Sequence, residues 1–166
     1  NRFSEDIDLY LPPAGKSKAE GFIDRLRAKG LMRQKFKVTG SAIFAKFSFS
    51  DAVVSFEASL RVAENYTVKP FEMLDGSFML VKALEPEELV LEKASAYKGR
   101  RKVRDLYDVF FLVHLLEEGD RAVESLRDLI ANFHRPVDER ELRTIIISGS
   151  VPTVEDMLEA IEQWVR

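Results

Sequence analysis

The spacing of apolar residues changes its period once along the chain, and this change limits the possible folds more than any other feature. In the first part, apolar and polar residues alternate, as they do for Ile7, Leu9 and Leu11, which is typical of a half-buried strand. Runs of this strand-like kind cover residues 7–11, 33–38, 43–49 and 53–60, with a weaker one at 78–81. Short turns between the middle three favour antiparallel pairing. A helix that begins near Ser17 and ends at Gly30 interrupts the series.

From Glu85 onward the apolar residues recur at helical spacing. Pro86 suits a first helical turn, and Thr153 followed by Asp156 resembles a capping box. The predicted helices cover about 86–97, 103–118, 121–133, 139–147 and 153–164. Strands followed by helices indicate an α+β protein, with a strand-rich lobe of mixed or antiparallel sheet at 1–84 and a helical lobe at 85–166.

Composition excludes several functional classes. A formal charge of −3 over 166 residues is not that of a generally basic, DNA-coating protein. The absence of cysteine removes disulfides, zinc–thiolate sites and cysteine nucleophiles. No apolar run approaches the roughly 18 residues that a membrane span needs, and no signal peptide precedes the first strand, so a cytoplasmic location without membrane partners is expected.

The first strand carries a pair of carboxylates. Asp6 and Asp8 are two residues apart, so a strand turns both to one face, together with Ser4. Carboxylates held this close repel each other unless a cation such as magnesium lies between them. Glu57, on the polar face of the run 53–60, could complete a metal site if that strand neighbours the first. The alternative for all three is an ordinary exposed acid on a polar face.

Lys93 and Asp105 occupy unusual places in the helical half. Lys93 lies within an apolar stripe, from which it either extends to solvent or reaches a negative group such as a phosphate. Asp105 and Asp108 open a helix that soon becomes almost wholly apolar, which places them near a cleft between the lobes. Favourable interaction with the helix dipole is the alternative explanation for these two acids.

A basic segment joins these two helices. Its cations are Lys98, Arg100, Arg101, Lys102 and Arg104. In a mildly acidic protein such a cluster is either a surface that attracts phosphate groups or a solvated loop. On the first interpretation it would hold RNA or the triphosphate, and we assign nucleotide binding to Ser4, Lys93, Arg101 and Arg104.

Three sequence elements together resemble the AbiEii/AbiGii toxin family of nucleotidyltransferases, whose fold is related to that of DNA polymerase β. The elements are Arg-Phe-Ser-Glu-Asp-Ile-Asp-Leu at 2–9, Lys-Ala-Ser-Ala-Tyr at 93–97 and Arg-Asp-Leu-Tyr-Asp at 104–108. By position, the resemblance implies that Asp6 and Asp8 bind the metal, Mg²⁺ or Mn²⁺, and that Lys93 and Asp105 complete the catalytic set. Asp105 would orient Lys93 or an arginine, or help to activate the acceptor hydroxyl.

The same resemblance implies a toxin of an abortive-infection or toxin–antitoxin system. Such an enzyme transfers NMP from an NTP to an acceptor, for which RNA, above all tRNA, is the expectation, and a cognate antitoxin is a further expected partner. The family carries a Gly-Gly-Ser/Thr element before its first motif, and here the motif starts at Arg2. Either this element has been cut away and the chain is a fragment that lacks its natural N-terminus, or the chain is an inactive nucleotidyltransferase-fold protein that sequesters RNA or a protein partner.

Overall fold

The computed structural model of the protein describes residues 6–63, 65–116 and 119–166. These residues form two compact units that divide the chain between residues 64 and 65. The first unit is rich in strands, and the second combines a β-hairpin with helices. The sequence interpretation placed the hairpin in a strand-rich lobe ending at residue 84. Within the described residues, the hairpin strands pair with each other and not with the larger sheet, and they belong to the same compact unit as the helices. The lobe boundary at residue 84 stays a prediction.

The first unit contains a four-stranded sheet with the order β1-β4-β3-β2 among the described residues. Its strands are β1 (Asp6–Tyr10), β2 (Met32–Val38), β3 (Ala42–Phe49) and β4 (Ala52–Ser59). The strands β2, β3 and β4 pair antiparallel, which confirms the pairing predicted from their short turns. The strand β1 pairs with β4 in parallel. Its neighbour in the sheet is therefore a strand that begins about forty residues later in the sequence.

One face of this sheet packs against helix α1 (Lys16–Ala28). Ile23 of the helix and Phe47 of the sheet are almost fully buried there, and each such side chain stabilises the unit by roughly 1.5–3 kcal/mol. Gly30 has a φ of +90°, which confirms the predicted glycine beyond the helix end. The helix begins before Ser17, because a 3-10 turn at Pro13–Gly15 leads directly into it and Gly15 is the N-cap.

The hairpin of the second unit consists of β5 (Tyr66–Glu72) and β6 (Phe78–Leu84). The sequence analysis found only the start of β6. It missed β5, because Pro70 weakens a strand pattern unless the strand lies at an edge, as β5 does. Gly76 supplies the positive φ of the turn, at +78°, and hydrogen bonds from Ser77 lower the pKa of Asp75.

Helices make up the rest of the second unit. They are α2 (Pro86–Arg100), α3 (Val103–Val113), α4 (Asp120–Ala131), α5 (Leu142–Ile145) and α6 (Val154–Val165). The capping box of Thr153 and Asp156 is confirmed, with both reciprocal hydrogen bonds present. The helix α2 extends about one turn further than predicted, α3 ends earlier, and the predicted helix at 139–147 is a 3-10 turn followed by the short α5.

The helices enclose one large core, in which Leu106, Leu126 and Ile161 are fully buried. Tyr97 is also buried, and its hydroxyl donates a 2.6 Å hydrogen bond to the carbonyl oxygen of His134. This burial raises the pKa of Tyr97 to about 12, so the residue is a neutral part of the core. Among the helices of the described residues, none is long and apolar enough to cross a membrane.

Candidate active site

The acidic strand lies at the edge of the sheet with both of its carboxylates exposed. Asp6 and Asp8 share the face opposite α1, and the strand register places Asp8 beside Glu57 and Asp6 beside Ser55. The sequence predicted a role for Glu57 in metal binding only if its strand lies beside the first strand, and it does. Parallel pairing keeps opposite residues on the same face, so the three carboxylates lie on one side of the sheet. Ser4 falls outside the described residues.

Metal binding by these acids stays a prediction. Within the described part of the chain, no group of three or more histidine, aspartate or glutamate side chains is placed so as to hold a metal ion. Asp6, Asp8 and Glu57 thus do not form a closed cage of protein ligands. A site for magnesium does not require one, because this ion commonly takes one or two carboxylates and completes its shell with water and substrate phosphates.

Lys93 does not extend into open solvent. Its ammonium nitrogen lies 2.9 Å from a carboxylate oxygen of Asp108 on the neighbouring helix α3, and the two side chains are 28% and 13% exposed. The residues around Lys93 on α2 include the buried Val90, Ala94 and Tyr97, so its stem lies at the margin of the core. The sequence left open whether this lysine reaches a negative group, and the structure supplies one from within the protein.

Asp105 is fully buried and holds an arginine. The guanidinium of Arg100 donates two hydrogen bonds of 2.6 Å, from Nε and Nη2, one to each carboxylate oxygen of Asp105. This bidentate geometry is the strongest form of an arginine–carboxylate pair. Of the roles considered for Asp105, the contacts favour the orientation of an arginine, because both of its oxygens are already engaged.

The basic segment is less open than its sequence suggests. Lys98 lies 2.6 Å from Asp128, Arg100 pairs with Asp105, and Lys102 lies 3.2 Å from Asp138. Lys98 and Arg100 therefore link α2 to α4 and α3, whereas Lys102 links the start of α3 to the turn at Asp138. The hydrogen bond from Lys98 lowers the pKa of Asp128. The sequence could not separate a phosphate-binding surface from a solvated loop, and the structure shows that these three side chains are paired within the protein while they stay 39%, 48% and 41% exposed.

Arg101 and Arg104 are the remaining cations of the segment. Both are exposed, and neither forms an ion pair with the described residues. Arg101 ends α2 in the left-handed region, with a φ of 50°, a conformation that costs a residue with a side chain about 1 kcal/mol. These two arginines therefore keep their charges directed to solvent, and their assignment to nucleotide binding stays a prediction.

The candidate residues divide between the two units. Asp6, Asp8 and Glu57 belong to the first unit, whereas Lys93 and Asp105 belong to the second. Their predicted convergence on one nucleotide stays a prediction. The sequence analysis assigned no individual role to Arg100, and it overlooked three lysines, Lys35, Lys37 and Lys46, on the sheet face that carries the acids. In β2, lysine alternates with phenylalanine and valine, and this pattern could have predicted that Lys35 and Lys37 share one face of the strand.

The pairing of Arg100 with Asp105 predicts a measurable loss of stability. Replacing Arg100 with methionine keeps the aliphatic stem but leaves the buried Asp105 without its counter-charge. Arg100 is 48% exposed, so we expect a loss of about 2 kcal/mol, less than for a fully buried pair. The matched control is Lys98→Met, which removes a more exposed pair and should cost below about 1 kcal/mol. Urea denaturation followed by circular dichroism measures both, and equal losses would contradict the buried role of Asp105.

The α+β fold, with a mixed sheet followed by helices, is that of a nucleotidyltransferase-like protein. The family model for the nucleotidyl transferase AbiEii toxin of type IV toxin–antitoxin systems matches residues 1–160, and the chain belongs to this family.

A solved structure supports the fold. The crystal structure of JHP933 from Helicobacter pylori matches with a TM-score of 0.65 and 19% sequence identity, over 99% of this chain and 75% of that one. At this identity the likeness concerns the fold alone. A comparison with curated proteins gave no match.

Proposed function

We propose that the protein is a metal-dependent nucleotidyltransferase that transfers NMP from an NTP to an RNA acceptor, tRNA in particular. Membership of the AbiEii toxin family supports nucleotidyl transfer in general. The observation that carries the finer proposal is the register of β1 and β4, which puts Asp6, Asp8 and Glu57 on one exposed face of the sheet. A cognate antitoxin, as in other type IV systems, would be its partner in the cell.

The donor set fits a magnesium or manganese ion. Asp6 and Asp8 would supply the first carboxylate ligands, and Glu57 lies beside Asp8 for a direct or water-mediated contact. When bound, such an ion would neutralise phosphate charge and stabilise the attacking or the departing oxygen. The arrangement leaves room for the nucleotide phosphates, because the carboxylates lie on an exposed edge strand.

In the proposed reaction, a hydroxyl oxygen of the acceptor attacks the α-phosphorus of the NTP. A new oxygen–phosphorus bond forms, the bond to the β-phosphate breaks, and pyrophosphate leaves with the bonding electron pair. The hydroxyl proton passes to water. Lys93, held by Asp108, would place a positive charge against the phosphates, where negative charge gathers during transfer. Arg100, held by Asp105, would be positioned for the same purpose.

The proposal is tested by incubating the full-length gene product with total tRNA and each α-labelled NTP in turn. Labelled tRNA is the expected product, and the Asp8→Asn variant should give none. Label on protein instead of RNA would support nucleotidyl transfer but contradict RNA as the acceptor. If the folded protein binds NTP and labels neither RNA nor protein, the proposal fails and the inactive binding protein takes its place.

A further inference from the structure

The exposed face of the sheet has a charge gradient that runs across its four strands. The register defines two rows of neighbouring residues, one of Asp8, Glu57, Phe44 and Lys37 and the other of Asp6, Ser55, Lys46 and Lys35. Each row begins with an aspartate on β1 and ends with a lysine on β2, and Glu57 on β4 adds a second acid to the first row. All three lysines are exposed, Phe44 is half-buried between the charged ends, and the opposite face of the sheet packs against α1.

We propose that this lysine face, defined by Lys35, Lys37, Lys46 and Phe44, binds the single-stranded end of the RNA acceptor and leads it towards the carboxylates. The inference deepens the proposed function, because it rests on Asp6 and Asp8 being the site of transfer. It names a surface that the sequence analysis assigned to no role.

The three lysines place like charges next to one another on the sheet. Lys35 and Lys46 lie directly opposite each other on antiparallel strands, and Lys37 is next along β2 on the same face. Like charges opposed across strands destabilise a sheet. None of the three lysines forms an ion pair with the described residues. A polyanion lying across the face would relieve this repulsion.

The lysine face reaches the strand of the sheet that lies furthest from the acid pair. The strands β1 and β2 are separated by three strand spacings, or about 14 Å. A triphosphate whose phosphates gather around a metal at Asp6 and Asp8 stays near β1. A nucleic acid strand, in contrast, carries a phosphate on every nucleotide and can follow the whole row. The distance therefore favours the acceptor strand over the NTP as the ligand of these lysines.

An aromatic ring lies within the basic surface. Phe44 lies between Glu57 and Lys37 in its row, so a base next to the lysines could stack on it. Proteins commonly bind single-stranded nucleic acid without sequence preference through lysines along its phosphate backbone and aromatic side chains on which its bases stack. Three cations of the basic segment at residues 98–104 are already paired within the protein, which leaves that segment less charge for this purpose.

The test measures RNA binding directly, without NTP. A short fluorescein-labelled oligouridylate is titrated with the full chain, and its fluorescence anisotropy is followed over a series of salt concentrations. The triple variant Lys35→Gln/Lys37→Gln/Lys46→Gln should bind more weakly. Its plot of log binding constant against log salt should be shallower by about 2, since each phosphate contact on a single strand contributes roughly 0.7. Phe44→Leu should weaken binding about tenfold.

The matched control is Lys16→Gln/Lys18→Gln/Lys29→Gln, which makes the same charge change at the start and just beyond the end of α1, on the other side of the sheet. Equal binding of RNA by the two triple variants would overturn the inference. Competition by polyglutamate as strong as that by RNA would also overturn it, and would identify an acidic protein as the partner of the lysine face. Thermal unfolding verifies that both variants fold. Failure of nucleotidyl transfer with intact lysine-dependent RNA binding would refute only the proposed function.

Discussion

Replacing Asp6 and Asp8 together with asparagine is expected to abolish metal-dependent NTP binding and to lower nucleotidyl transfer by about a thousandfold or more. The two side chains share one exposed face of β1, so the variant removes both negative charges from the same surface. Asparagine has nearly the same shape, and the loss of mutual repulsion should leave the strand at least as stable. Isothermal titration with magnesium and NTP measures binding, and label incorporation measures transfer.

The matched control for this variant is Asp24→Asn/Asp51→Asn, which removes two exposed carboxylates from the same unit. Asp24 lies on α1 and Asp51 at the turn before β4, away from the exposed acid pair. The control should bind and react as the unaltered protein does. Binding heat that persists in Asp6→Asn/Asp8→Asn would exclude these residues as metal ligands, and reduced binding in both variants would indicate only an effect of overall charge.

Lys93→Met is expected to lower the rate of nucleotidyl transfer by about 100- to 1,000-fold, the usual effect of removing one positioned electrostatic group from an active site. Methionine keeps the length of the stem at the margin of the core and removes the ammonium group. Asp108→Asn should have a smaller effect, because the amide oxygen can still accept a hydrogen bond from Lys93. Single-turnover kinetics with label incorporation distinguishes these rates from changes in product release.

Lys98→Met is the control for the lysine on α2, because Lys98 lies on the same helix and pairs with Asp128. It should react at the normal rate. A normal rate in Lys93→Met as well would mean that the pair of Lys93 and Asp108 is structural. Loss of transfer in both Lys93→Met and Asp6→Asn/Asp8→Asn would support the prediction from the sequence that these residues act on one nucleotide.

Features that depend on neighbouring residues could be predicted from the sequence. The strand β1, the glycine at residue 30 and the capping box at Thr153 and Asp156 are all confirmed, although β1 is not half-buried, because Ile7 and Leu9 are 44% and 38% exposed. Each depends on backbone preferences or hydrogen bonds that act over a few residues, so it is visible in a short stretch of sequence. The same holds for the acid pair, because the two-residue period of a strand turns Asp6 and Asp8 to one side. The missed strand β5 shows the limit of this approach where a proline weakens the pattern.

Contacts between distant segments could not be predicted in this way. Asp8 and Glu57 become neighbours because β1 joins the sheet beside β4 in parallel, and nothing within either strand specifies that choice. The ion-pair partners of Lys93, Arg100 and Lys102 likewise depend on how the helices pack. Because of this packing, several cations that the sequence suggests are open to solvent form ion pairs within the protein. Strand order and helix packing depend on the burial of many apolar side chains at once, so a single charged residue carries no local sign of its eventual partner.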